Sequence, residues 1–227
     1  MQNVERNLAE IHARIASAAE AAGRDPDSVS LLAVSKKKPA GDIREAYRCG
    51  QTDFGENYLQ EALQKMQELN DLDIHWHFIG AIQSNKTRSI AEAFDWAHCV
   101  DRLKIARRLS EQRPATMPPL NVCIQINIDD EDSKAGIDLS ELAELAQAVS
   151  KLPGIRLRGL MTIPAPRENF DEQRRAFARL AEALQMLRGQ GIECDTLSMG
   201  MTQDMEAAIA EGSTLVRIGT AIFGERQ

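Results

Sequence analysis

At 227 residues with a formal net charge of −7, the chain has no basic surplus to neutralise a nucleic-acid backbone, which excludes a non-specific polyanion binder. Its 43% hydrophobic and 27% charged residues suit a globular core; it has no signal-peptide layout and no apolar run near a membrane span, so a cytoplasmic protein without membrane or nucleic-acid partners is expected. Cys49, Cys99, Cys123 and Cys194 lack metal spacing and read as small buried hydrophobes in a reduced compartment.

In chain order, Val4, Leu8, Ile11, Ile15 and Ala18 mark an amphipathic helix closed by Gly23. A strand over 30–36 follows, and Pro39 opens a helix toward Gly50. A short strand at 53–55 leads into a helix over 58–69. A third strand covers 74–79, with Ser84 placed to cap a helix beginning at Asn85. The fourth strand spans 95–100, and a basic helix then ends before Pro114. In the second half, a strand at 120–128 precedes a capping box of Asp138 and Glu141, whose helix carries Leu142, Leu145, Val149 and Leu152. A sixth strand at 155–163 is followed by Asn169 and Glu172 in the same arrangement, ahead of Phe177, Leu180, Leu184 and Leu187. Strands at 195–199 and 214–218 flank a helix over 205–210.

Eight strands, each followed by a helix or helical turn, predict a parallel sheet covered by helices. The expected α/β architecture is a (β/α)8 TIM barrel with an extra N-terminal helix, one domain over 1–227. A doubly wound open sheet is the rival. It loses its usual support because the turn after the first strand reads Lys-Lys-Lys-Pro, with no Gly-rich fingerprint.

A barrel carries its chemistry at the C-terminal ends of the strands and often binds phosphate after strands seven and eight. Strand seven ends in Ser198-Met199-Gly200-Met201 and strand eight in Arg217-Ile218-Gly219-Thr220. Both offer glycines for close backbone approach, a hydroxyl and free amides, and Thr220 can start a helical turn. Either loop alone reads as a tight barrel turn; the two together point to a phosphate site. Lys36 shares strand parity with Leu32 and Val34, so it should point into the barrel top. There, partial desolvation lowers its pKa and leaves a neutral amine able to condense with an aldehyde. Lys37 and Lys38 are expected to be solvated. Arg217, in phase with Leu215 and Gly219, should face the interior, where it needs an acceptor: a carboxylate such as Glu56, or a ring nitrogen of a bound cofactor. Asn57 can touch a ligand or cap the next helix. His77, also inward by parity, is expected to have only a minor role.

The segments Val34-Ser35-Lys36, Phe54-Gly55-Glu56-Asn57-Tyr58, His75-Trp76-His77-Phe78-Ile79-Gly80 and Gln83-Ser84-Asn85-Lys86 resemble those of a known family. So do Gly159-Leu160-Met161, Leu197-Ser198-Met199-Gly200-Met201 and 216–224. That family is the pyridoxal-phosphate homeostasis proteins, whose fold matches the barrel of alanine racemase, and the resemblance covers essentially the whole chain. It implies a Schiff base between Lys36 and pyridoxal 5'-phosphate. It also implies a phosphate held by Ser198, Gly219 and Thr220 with the backbone near Met199 and Gly200. Asn57 would lie near the ring and Arg217 at the pyridine nitrogen. The implied function is cofactor carriage without established turnover, with cofactor-dependent apo-enzymes as recipients.

An arginine at the pyridine nitrogen disfavours ring protonation and weakens the ring as an electron sink. Racemisation also needs an acid or base on each face. The resembled racemases take one from a further β-domain of a partner subunit, and this chain ends just after the eighth strand, so that domain is expected to be absent and the protein monomeric. Tyr47 and Tyr58 are the only tyrosine acids. A weak racemase using Tyr58 and a cofactor-free aldolase-like barrel are the alternatives.

Overall fold

Strand residues here alternate between the inner and the outer face of a closed sheet. A computed structural model describes residues 3–129 and 135–225. Its strands are β1 (Ser30–Val34), β2 (Asp53–Glu56), β3 (His75–Phe78), β4 (Trp96–Val100), β5 (Leu120–Gln125), β6 (Ile155–Met161), β7 (Thr196–Ser198) and β8 (Leu215–Ile218). All pair in parallel in sequence order, and β8 returns to pair with β1, giving a closed eight-stranded barrel. The covering helices are α1 (Val4–Ala21), α2 (Ala40–Arg48), α3 (Leu59–Glu68), α4 (Thr87–Ala93), α5 (Leu103–Gln112), α6 (Leu142–Val149), α7 (Phe170–Gly189), α8 (Met205–Ala210) and α9 (Thr220–Phe223). This is the predicted (β/α)8 barrel with an additional N-terminal helix. Among the described residues no helix is long and apolar enough to cross a membrane.

Local chemistry accounts for most boundaries. Asn3 caps α1 by accepting from the Arg6 amide, and the helix buries Val4, Leu8, Ile11, Ile15 and Ala19. Ala18 is only partly buried against that core. Asn169 Oδ1 accepts from the amides of Asp171 and Glu172 and so starts α7. The Asp138/Glu141 capping box is present, but it opens a 3-10 turn (Leu139–Glu141) that leads into α6. Ser84 does not cap with its side chain. Instead its carbonyl accepts from Thr87 Oγ1 and Arg108 Nε, and α4 begins at Thr87, later than predicted. Most strands are one to three residues shorter than read from sequence, their outermost residues lying just beyond the regular ladder.

The outer face of the sheet, with Leu31, Ala33, Phe54, Trp76, Phe78, Val216 and Ile218, joins the helices in one large core. The inner face holds only a small separate cluster of Leu32, Ile79 and Leu215, with Val34 against it. Gly55 makes room for that plug, since a Cβ there would lie 3.1 Å from Ile79 Cδ1 and 3.2 Å from Leu32 Cδ2. Barrel interiors are usually filled by bulky branched residues. Here much of the filling is polar: His77, His98, Ser198 and Arg217 are all buried.

Candidate functional site

The C-terminal ends of the strands form the barrel mouth, and the predicted site residues come from four neighbouring strands. Lys36 follows β1, Asn57 follows β2, Ser198 ends β7, Arg217 lies in β8, and Gly200, Gly219 and Thr220 follow β7 and β8. Val34 pairs with Gly55 in the β1–β2 ladder, so Lys36 and Asn57 each lie two residues beyond a paired couple and share one side of the sheet. Val34 and Leu32 belong to the inner cluster, in agreement with the parity that pointed Lys36 inward. Lys36 itself is half-buried.

The backbone on both sides of Lys36 is clamped from behind. Ser35 Oγ donates to Glu56 Oε1 (2.7 Å), and Lys65 Nζ donates to the Ser35 carbonyl (2.8 Å). The Lys37 amide donates to Glu61 Oε1 (2.5 Å). Lys65 joins these by bonding the buried Glu56 Oε1 (2.7 Å) and the partly buried Glu61 Oε1 (2.5 Å), forming a carboxylate–ammonium–carboxylate triad between the sheet and α3. Lys37 sits at φ +60°, a left-handed conformation that costs a non-glycine residue of order 1–3 kcal/mol and persists only when neighbours impose it. Lys37 is exposed, as expected, and Lys38 is partly buried. The Lys37 ammonium lies 5.7 Å from the Tyr58 ring centroid, and Lys38 Nζ donates to the Glu225 carbonyl (2.7 Å).

Glu56 is therefore not the partner of Arg217, contrary to one sequence expectation. Burial outweighs the attraction of Lys65 and raises the Glu56 carboxyl above its ordinary range. Arg217, 5% exposed, donates to Ser198 Oγ (2.7 Å) and to the Thr162 carbonyl (2.9 Å). Ser198, expected at a phosphate, is fully buried inside the barrel, with its hydroxyl shared between Arg217 and His98 Nδ1 (2.9 Å). Met199 is likewise committed: its amide bonds the Leu215 carbonyl, and its own carbonyl accepts from Ser213 Oγ. The groups left for an anion are main-chain amides and the hydroxyl of the exposed Thr220. Among the described residues, the amides of Gly200, Gly219 and Thr220 find no acceptor. Gly200 has φ +97°, and a Cβ there would lie 2.7 Å from Ala208 Cβ, so this turn admits glycine alone.

Asn57 contributes a second open group. Its Oδ1 is buried without a hydrogen-bond partner, a state that costs about 1–3 kcal/mol unless a ligand supplies the donor. Its loop is held closely, because a Cβ on Gly80 would lie 2.3 Å from the Asn57 carbonyl oxygen. Gly80→Ala is expected to cost about 1–3 kcal/mol in urea unfolding, by forcing the two loops apart. A loss below about 0.5 kcal/mol would show that the loops yield freely.

The interior also contains groups that sequence reading undervalued. His77, Trp96 and His98 cluster near the barrel floor, with His77 stacked on Trp96 at 5.3 Å between centroids. His98 escaped notice because a lone histidine in an apolar strand carries no motif; its parity within β4 was the only available signal. Burial depresses both imidazoles, His98 well below the ordinary value of 6.5. Both are thus neutral in the folded protein, while the unfolded chain takes up protons below about pH 6.5. Stability is therefore present above that pH and lost as pH falls. At up to about 1.36 kcal/mol per pH unit for each group, the loss between pH 7.5 and 5.5 reaches about 2–3 kcal/mol. Glu56 acts in the opposite sense. Urea midpoints across this range should fall about half as steeply in His98→Phe, and equal slopes would count against a neutral buried His98. Among the described residues, no three His, Cys, Asp or Glu side chains gather as a metal site.

An amine, backbone amides without an acceptor and a buried guanidinium thus gather at the C-terminal end of one (β/α)8 barrel. The model of the alanine racemase N-terminal domain matches residues 6–227. A pyridoxal phosphate homeostasis protein of Pseudomonas aeruginosa is 61% identical over 226 residues, covering 100% of this chain and 97% of that protein. Its Escherichia coli counterpart is 56% identical over 229 residues, covering 100% and 98%. PipY of Synechococcus elongatus, solved with PLP bound, superposes with a TM-score of 0.86 at 37% identity, covering 98% of this chain and 100% of that one. D-threonine aldolase from Filomicrobium marinum, at 19% identity, TM-score 0.76 and coverage of 96% and 59%, shares the barrel alone. The chain belongs to the alanine racemase N-terminal domain family and, within it, to the pyridoxal phosphate homeostasis proteins.

Proposed function

We propose that the barrel mouth binds pyridoxal 5'-phosphate through a Schiff base on Lys36, and that the protein holds and releases this cofactor without turning over a substrate. The observation that carries the reading is the convergence at one mouth of a half-buried lysine, unbonded amides at Gly200, Gly219 and Thr220, and the orphaned Asn57 Oδ1. These match an aldehyde, a phosphate and a polar ring substituent respectively. The names of the relatives, and PipY with PLP bound, support the same cofactor.

When bound, the cofactor supplies an aldehyde that condenses with an amine and a ring that withdraws electrons. Lys36 offers the amine, held by the clamp on Ser35 and Lys37. The three amides and the Thr220 hydroxyl would hold the phosphate. Arg217 spends two of its five N–H donors on Ser198 and Thr162, leaving others for the pyridine nitrogen. A guanidinium there would donate and not accept, which would disfavour protonation of the ring nitrogen and weaken the ring as an electron sink. That favours storage over catalysis. A reversible tether of this kind suits delivery to apo-enzymes that need the cofactor.

Titration of the apo-protein with pyridoxal phosphate, then borohydride reduction and peptide mapping, tests the assignment. One label on the peptide carrying Lys36 is expected; label elsewhere, or none, would overturn it. Incubation of the loaded protein with L-amino acids in deuterated water tests the storage role. Steady Cα exchange at enzyme-like rates would replace it with catalysis.

A further inference from the structure

Two buried titratable groups, His77 and His98, have no place in holding the cofactor, yet a continuous series of hydrogen bonds joins them to Arg217. Asp53 Oδ1 lies 3.1 Å from His77 Nε2, His77 Nδ1 lies 3.0 Å from His98 Nε2, and His98 Nδ1 lies 2.9 Å from Ser198 Oγ. Arg217 Nη1 closes the series on Ser198 Oγ at 2.7 Å. Asp53, the first residue of β2, is at the floor with its side chain 33% exposed; Arg217 is at the other end of the path. The series therefore crosses the barrel interior.

With both rings neutral, the direction of every bond follows from the two ends. Asp53, an ionised carboxylate, only accepts, so His77 carries its proton on Nε2 and presents Nδ1 as an acceptor. His98 must then donate from Nε2, leaving its own Nδ1 to accept. Arg217 only donates, so Ser198 receives it on a lone pair and turns its O–H toward His98 Nδ1. One arrangement of hydrogens satisfies all four contacts. Such a path cannot deliver a proton to the mouth, because it ends on a guanidinium that does not deprotonate. It can orient. Trp96 stacks on His77, and Arg158 lies 4.7 Å over Trp96, so the rings that carry the path are themselves packed in place.

We infer that His77 and His98 are positioning residues for Arg217: a directed hydrogen-bond chain anchored on Asp53 fixes the Ser198 hydroxyl as an acceptor and thereby sets the plane of the guanidinium that meets the cofactor ring. The inference rests on the cofactor site proposed above. The Thr162 carbonyl fixes the other terminal nitrogen of Arg217, so the chain supplies the second of two anchors and decides rotation about the first. An apolar residue in place of His98 would leave the Ser198 O–H without its acceptor, so Ser198 Oγ would be held by Arg217 alone and would no longer fix the guanidinium independently.

The first test needs no cofactor. Nitrogen-15 spectra of histidine-labelled apo-protein at pH 7.5 should show both buried rings neutral with the proton on Nε2. A proton on Nδ1 of either ring, or a charged ring, overturns the chain. The second test compares the absorbance of added pyridoxal phosphate in wild type, His98→Phe, Ser198→Ala and Arg217→Gln. Both His98→Phe and Ser198→Ala should shift the band in the direction of Arg217→Gln, and the double variant His98→Phe/Arg217→Gln should shift no further than Arg217→Gln alone. Additive shifts, or wild-type spectra in both His98→Phe and Ser198→Ala, overturn the positioning role. If thermal unfolding shows that His98→Phe does not fold, Ser198→Ala carries the comparison alone and with Arg217→Gln. Borohydride trapping in the wild-type sample separates the two readings: no adduct sinks the cofactor site, while the ring-proton spectra still decide the chain.

Discussion

Lys36→Ala protein mixed with pyridoxal phosphate and treated with borohydride is expected to retain no covalent label and to lose the visible band of the wild-type adduct. The cofactor would then rest on phosphate and ring contacts alone. Hydrogen bonds to a charged group are worth about 1.5–3 kcal/mol each, so retention should persist but weaken by roughly two orders of magnitude or more. The neighbouring lysines are not expected to substitute. Lys37 has the opposite direction at φ +60° and sits over Tyr58, and Lys38 is bonded to the Glu225 carbonyl. Equilibrium dialysis and peptide mapping give the answer together. Label migrating to Lys37 or Lys38 would mean that the inward placement of Lys36 is not what selects it.

Lys65→Met should produce the largest stability loss of any single change near the site. Lys65, 5% exposed, holds Glu56, Glu61 and the Ser35 carbonyl at once. Glu56 is fully buried, and its Oε2 has no partner among the described residues. Removing the ammonium leaves an uncompensated buried carboxylate, a change that costs about 3–5 kcal/mol. The double variant Lys65→Met/Glu56→Gln should recover part of it, because a neutral amide needs no counter-charge. The deficit also has a pH signature. A carboxyl whose folded pKa lies above its unfolded value stabilises the fold below the unfolded pKa and loses that contribution as pH rises through the folded one. Urea unfolding should therefore show a deficit that shrinks toward acid. A loss under about 1 kcal/mol at neutral pH would mean that the triad is not the clamp on the Lys36 loop.

Both expectations bear on how much of this protein was legible before folding. The eight-fold alternation was readable because each unit buries its own stripe, and stripes such as Leu180, Leu184 and Leu187 announce themselves at helical spacing. Strand parity was readable too: Leu32 and Val34 do face inward, and Val216 and Ile218 face the helices. Element ends were less legible. Ser84 looked like a cap because serine near a helix start commonly is one, but Arg108 and Thr87 compete for its carbonyl and the turn tightens instead.

The partners of polar side chains were not legible at all. Arg217 was assigned either Glu56 or a ring nitrogen, yet its acceptors within the chain are a hydroxyl on β7 and a carbonyl after β6. Glu56 has outward parity in β2 and meets α3, where Lys65 waits; a strand reading indicates the face but not the helix residue opposite. Ser198 was placed at a phosphate by its hydroxyl at the end of strand seven and by the family resemblance; inward parity at the last position of β7 also puts that hydroxyl against His98, 100 residues away in the chain.

The sequence by itself determined the architecture, the parity of the strand that leads to Lys36 and the two glycine loops, since these depend on periodicity and on backbone freedom that are local properties. Only the tertiary structure decided what the interior polar groups do. Barrel closure brings β8 beside β1 and lets β3, β4, β7 and β8 share one interior, so His77, His98, Ser198 and Arg217 meet across it. Each is hydrogen-bonded to a residue on a different strand. A buried polar group must take whichever partner closure supplies, and no local pattern records that choice.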